Sequence, residues 1–203
     1  MTDTKTIILT ESQLGRLLET TTEEIDTACK DINTKPTDAQ KEAGNYKMGH
    51  FSIKGMEITI ETPKGSYRYY KKANGSEGKV KMKNHYGYFT NTTGNGKDGD
   101  AVDVFIGKHP EDFELVFVVD QNNKNGDFDE SKVMLGFKTK EEAKEAYLSN
   151  FSKGWRGFGN ITAVSLELFK KWLYRGSKQC KPFSEYVSVS KAKVEECVCN
   201  PFV

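Results

Sequence analysis

Hydrophobic positions along the chain change their spacing twice. The first segment carries Leu14, Leu17, Leu18 and Ile25 at helical intervals behind a capping pair, Thr10 and Gln13, and Asn33, Lys35 and Pro36 end it. This predicts one helix over 10–32. Its apolar stripe is narrow, so it is expected to lie at the periphery. From residue 46 to 137 the period shortens to two. Phe51 to Ile53 and Met56 to Ile60 alternate around Lys54-Gly55, and apolar runs follow at 102–106, 115–119 and 132–137. Short strands with regular turn signals predict a small, closed, antiparallel β-barrel of the OB type, giving an α+β fold. Helical spacing then returns. Thr139 and Glu142 open a helix with Ala143, Ala146, Tyr147 and Phe151 on one face. Ser165 caps another with Leu166, Phe169 and Leu173 buried. Both are expected on the outside of the barrel. The expected layout is a helical appendage over 1–34, a domain over 35–175 and a tail over 176–203 with β-like patches such as Tyr186–Val189.

Composition narrows the classes. The chain has 203 residues, with 30 Lys+Arg against 29 Asp+Glu. A dedicated nucleic-acid binder would show a basic excess, so none is expected as partner. No apolar run is long enough to span a bilayer, and the N-terminus lacks the features of a signal peptide. A soluble, cytoplasmic protein is expected. The four cysteines at 29, 180, 197 and 199 lack zinc-site spacing and read as free thiols.

Candidate chemistry concentrates at Asp98-Gly99-Asp100-Ala101-Val102-Asp103, where a glycine-rich loop enters an apolar strand. Carboxylates this close repel one another unless cations intervene, and hard divalent cations take oxygen ligands. A solvated Asp-Gly turn is the plain alternative. Asp103 argues against it, because it interrupts a buried strand, on the face of Phe105 and opposite Val102, Val104 and Ile106. Gly99 is expected to permit close backbone approach. Tyr86-Gly87-Tyr88 upstream offers hydroxyl donors. Glu61 with Arg68, and Asp129-Glu130-Ser131-Lys132, add further acids beside bases. Carboxylates for metals with cations for phosphate oxygens make up the inventory of phosphoryl transfer. The segment 120–126 lacks EF-hand spacing, Gly96-Lys97 is no P-loop, and no Gly-x-Ser-x-Gly elbow is present.

Tyr86-Gly87-Tyr88 followed by Asp98-Gly99-Asp100-Ala101-Val102-Asp103 resembles the signature of the soluble family I inorganic pyrophosphatases. The closest resemblance is to divergent domains of bacteriophage and mobile-element proteins. Pro36–His50, Phe128–Phe137 and Gly154–Gly159 share it, so it covers about residues 36–174. The resemblance implies Mg²⁺-dependent hydrolysis of pyrophosphate by a metal-activated water, with several Mg²⁺ ions and Mn²⁺ as an alternative. It implies metal ligands at Asp98 and Asp103 and a water-orienting base at Asp100. Glu61 corresponds to a ligand of the outer metals. Arg68 stands where the family has a phosphate-binding lysine, and Tyr86 where it has a phosphate-contacting tyrosine. Glu130 and Lys132 match an acid-x-Lys pair, with Asp129 equally close for the acid. Departures are Ala101 for proline, Tyr70 for glutamate and Asn125 for aspartate, with Asp127 two residues on. The family's late Tyr-Lys pair has no clear equivalent, and Lys153 or Arg156 stands in. Two alternatives remain: hydrolysis of a nucleotide or signalling phosphoanhydride, and an inert phage module whose N-terminal helix docks a protein partner. Self-association is compatible with each.

Overall fold

The alternation at 51–60 becomes a hairpin of β1 (Gly49–Ile53) and β2 (Met56–Thr62) in the computed structural model, which describes residues 21–71, 75–175 and 180–190. Lys54 and Gly55 both take positive φ, 47° and 74°, as a two-residue turn matched to strand twist requires. A second hairpin, β3 (Tyr67–Lys71) and β4 (Glu77–Lys81), forms a sheet of its own. The remaining strands are β5 (His85–Phe89), β6 (Asp103–Ile106), β7 (Leu115–Asn122), β8 (Phe128–Leu135) and β9 (Phe158–Ser165).

These strands do not close into a barrel. They form one seven-stranded sheet in the order β1-β2-β5-β6-β8-β7-β9, and the two outermost strands do not pair with each other. Nor is it wholly antiparallel, since β6 and β8 run parallel. The reason lies in the core. Val104, Val118 and Val133 belong to one buried cluster, whereas Phe105, Phe117, Val119 and Met134 belong to a second. Central strands buried on both faces read as continuous apolar runs. The runs at 102–106 and 115–119 therefore mark a sheet covered on two sides. Strand β9 has no counterpart among the expected elements. It buries only Ile161 and Val164 and pairs with β7 along the sheet's free edge.

Four of the five helices among the described residues supply the two covering layers. Helix α1 (Thr22–Ala28) starts at a capping box of Thr21 and Glu24 and buries Ile25. The expected Thr10/Gln13 pair and Leu14 to Leu18 lie outside the described residues. The described half of that helix is not peripheral, because Ile25 and Cys29 are part of the first cluster. Burial pushes the Cys29 thiol up to about 12, with Asp26 adding to the effect, so it is inert. Helix α2 (Asp38–Ala43) is short and exposed. Helix α3 (Lys140–Ser149) begins at Thr139, as the sequence predicts, and sets Ala143 and Tyr147 into the second cluster. Helix α4 (Leu166–Arg175) buries Phe169, Trp172 and Leu173 in the first cluster, with the Ser165 hydroxyl capping it at Leu168 N–H.

The tail supplies the fifth helix. Residues 183–190 form α5 where a β-like patch was expected. Phe183 and Val187 are one helical turn apart and both buried, and the Phe183 ring meets Trp172 edge-on at 4.8 Å. Among the described residues no helix is long and apolar enough to cross a membrane.

His85 ties β5 to α1. Its Nδ1 accepts from Lys64 N–H at 3.2 Å, so Nε2 carries the proton that faces Asp26 at 3.0 Å. Burial lowers its pKa below the usual 6.5; Asp26 opposes that shift and Lys64 reinforces it. Protonating Nδ1 would also break the Lys64 bond. Below pH 6.5 the unfolded chain thus binds the proton more readily, and stability falls with falling pH. Urea unfolding between pH 7 and pH 5 should show a steeper loss in the wild type than in His85→Gln, which cannot titrate. Equal slopes would remove His85 from the pH response.

Candidate active site

Three neighbouring strands deliver the central residues. The alternation in β6 turns Asp103 to the face of Phe105, and β8 turns Lys132 to the face of Met134. Because Val104 pairs with Val133, Asp103 and Lys132 come to lie side by side. The Lys132 ammonium contacts Asp103 and lies 2.8 Å from Glu130. The Tyr86 hydroxyl, on β5, donates to Asp103 at 2.8 Å. Arg68, on β3, places its guanidinium 4.6 Å above the Tyr86 ring.

Burial gives this chain of contacts its character. The Lys132 side chain is 4% exposed and that of Asp103 19%, so each charge depends on the other. Burial alone would lower the Lys132 pKa, but Asp103, Tyr86 and Glu130 outweigh it and hold the ammonium well above its usual range. Burial raises the Glu130 pKa, with Asp103 and Asp129 adding to it against the pull of Lys132. Arg68 is raised despite its burial, because Tyr86, Asp103, Glu130 and Glu61 all favour the cation. The Tyr86 phenol is pushed up by burial and Asp103, so it stays a donor.

Two acids are aimed by bulges. Between Ile60 and Thr62 the β2–β5 register slips, and Glu61 is the extra residue. Asp129 is the extra residue between Phe128 and Glu130 opposite β7. A bulge of this kind re-aims one side chain. Gly87 makes the first possible, because a Cβ there would collide with the Thr59 carbonyl. Side chains that the sequence did not single out hold the acids. Tyr46 donates to Glu61 at 2.8 Å. Gln121 donates to Asp129 at 3.2 Å and Glu130 at 3.1 Å, while its own carbonyl accepts from Tyr147 at 2.9 Å. Only the apolar spacing of Tyr147 was visible, and nothing local marks Gln121.

Asp98 and Asp100 sit on the loop before β6, and both are exposed. The loop closes where Gly94 N–H donates to the Asp100 carbonyl, at 2.6 Å, and Asp98 accepts from Asp100 N–H at 3.2 Å. Gly99 serves by its φ of 76°; a Cβ there would meet nothing within 4 Å, so close approach is not its role. Asp100, Glu61 and Arg68 share an open cavity of about 900 Å³, bordered also by Tyr46, Tyr69 and Tyr70. Lys153 is exposed and joins none of these contacts.

Among the described residues no three His, Cys, Asp or Glu side chains converge into a ready-made metal cage. In kind, however, the donors fit a hard divalent cation. They are all carboxylates, Asp103 and Asp129 add to the burial that raises Glu130, and the loop acids are open to solvent.

Fold and site together define an α+β protein whose sheet carries a buried cluster of carboxylates and cations, with Arg68 joining that cluster to an open cavity shared by Glu61 and Asp100. A family model described as inorganic pyrophosphatase matches residues 38–174, and the chain belongs to that family. That description names no phage-type branch. The chain matches no curated protein and no solved structure significantly.

Proposed function

We propose that the chain hydrolyses inorganic pyrophosphate to two phosphates with Mg²⁺, or Mn²⁺, as cofactor. The observation that carries this reading is the unbroken contact chain Arg68–Tyr86–Asp103–Lys132–Glu130, which joins phosphate-type and metal-type ligands within the family match. Asp98 and Asp103, with Glu61, Asp129 and Glu130, would hold the metal. Bound Mg²⁺ supplies positive charge that lowers the pKa of water and offsets charge on phosphate oxygens. Arg68 and Lys132 bind those oxygens and orient the anhydride, and the Tyr86 hydroxyl, whose one proton faces Asp103, would turn to them when Asp103 holds metal. Lys153, exposed and one residue past the Ser152 that meets the Tyr70 hydroxyl at 2.9 Å, would supply a further cation for the outer phosphate. Asp100 takes a proton from the attacking water as its oxygen bonds to phosphorus. The bridging P–O bond breaks, and the departing phosphate carries away the electron pair.

Phosphate release from pyrophosphate and ATP, with the nucleotide products of ATP and of a dinucleotide separated by chromatography, tests this. Release from pyrophosphate is expected with Mg²⁺ and should vanish in excess chelator. Full activity in chelator would end the metal reading, and silence on every substrate would favour a binding module. A nucleotide phosphoanhydride is the second reading, favoured by the cavity's size and by the tyrosines on its wall, against which a base could stack.

A further inference from the structure

The C-terminal segment, to which the sequence assigns no role, reaches the acidic loop through buried polar groups. Asn95 lies inside that loop and is 1% exposed. Its side-chain oxygen accepts from Ser131 N–H at 2.9 Å. Its amide donates to Ser131 Oγ and to the Lys181 carbonyl, both at 2.8 Å. Ser131 in turn donates from Oγ to Asp120 at 2.6 Å. Asp120, 4% exposed, also accepts from Phe183 N–H at 2.8 Å and Ser184 N–H at 3.1 Å, and so caps the start of α5. Every polar atom of this path is satisfied, a condition under which buried networks rigidify what they join.

The geometry points to Asn95, Ser131 and Asp120 as positioning residues through which residues 180–190 set the loop bearing Asp98 and Asp100. Three observations support it. The loop's acids are exposed and bond only within the loop; Thr92 ties the loop's two ends to Phe89 and Val102, and Asn95 is the buried side chain that fixes its middle to the sheet. Ser131 sits between Glu130 and Lys132, so the same hub fixes the strand that presents both. The far end is packed into the core, since Phe183 is fully buried and its ring meets Trp172. The catalytic part of this inference rests on the proposed hydrolysis; the mechanical part does not.

The test uses the full-length chain. Amide hydrogen exchange is followed over residues 94–102, beside Mg²⁺-dependent pyrophosphate turnover. Asn95→Ala and Ser131→Ala should each speed loop exchange at least about tenfold while β1 and β2 stay protected. Ser131→Thr, which keeps the hydroxyl, should restore wild-type exchange. In Asn95→Ala, kcat should fall on the order of 10²-fold, the cost of a catalytic group about 1 Å out of place. The Mg²⁺ requirement should rise with little change in KM for pyrophosphate. Val189→Ser, on the exposed side of α5, should change nothing. Unchanged loop exchange in both alanine variants would overturn the proposal. So would kcat and Mg²⁺ requirement in Asn95→Ala that match an active wild type. A wild type that hydrolyses nothing overturns the hydrolase reading instead, and loop exchange still decides the mechanical claim. Should Asn95→Ala fail to fold, Ser131→Ala compared with Ser131→Thr decides it by the same exchange measurement.

Discussion

Asp103→Asn is expected to remove activity and stability together. Lys132 is buried, and its ammonium has Asp103 and Glu130 as its carboxylate partners. Removing one charge leaves the ammonium under-compensated, a loss that costs about 3 kcal/mol at a buried pair. Asparagine keeps an oxygen for the Tyr86 hydroxyl, so the penalty is electrostatic rather than steric. Turnover should fall below detection, and the Mg²⁺ needed for any residual rate should rise. A second substitution separates the effects. Adding Lys132→Met should return most of the lost stability, because the stranded charge is gone, without returning activity. Urea unfolding and phosphate release measure both. Normal activity in Asp103→Asn would end the reading of this cluster as the active site.

Asp100→Asn should do the reverse, losing rate at no cost in folding. The Asp100 carboxylate is exposed, and the loop bonds at this position are made by its backbone N–H and carbonyl, which asparagine retains. Stability should stay within about 0.5 kcal/mol of the wild type. If Asp100 is the base, kcat should fall by roughly 10²–10⁴-fold, the usual contribution of a positioned base. The Mg²⁺ dependence should move little. A variant that keeps full rate would transfer the base role elsewhere, and one that loses metal and rate together would make Asp100 a ligand.

Much of the site was legible because it follows from strand alternation. Asp103 had to share a side with Phe105, and the structure places it there beside Tyr86. What alternation cannot state is which strand lies alongside. The Asp103–Lys132 contact exists only because β8, not β7, lies beside β6 and runs parallel to it. The bulges at Glu61 and Asp129 are equally silent in sequence, since a single extra residue leaves the apolar pattern almost unchanged.

By itself the sequence determined the local elements and the chemistry they carry: the turn at Lys54-Gly55, the Thr139 and Ser165 caps, the acid loop entering an apolar strand, and the lysine after Glu130-Ser131. Each depends on residues within a few positions of one another, where backbone sterics and side-chain period decide the outcome. Tertiary structure decided that the sheet stays open, that α1 and α5 belong to the core, that Gln121 and Tyr147 hold Asp129 and Glu130, and that Asn95 and Asp120 join the acid loop to residues 180–190. Those outcomes turn on which apolar faces find each other and which buried polar groups find partners. Burial rewards total area and satisfied hydrogen bonds across distant segments, and no local pattern records which distant segment provides them.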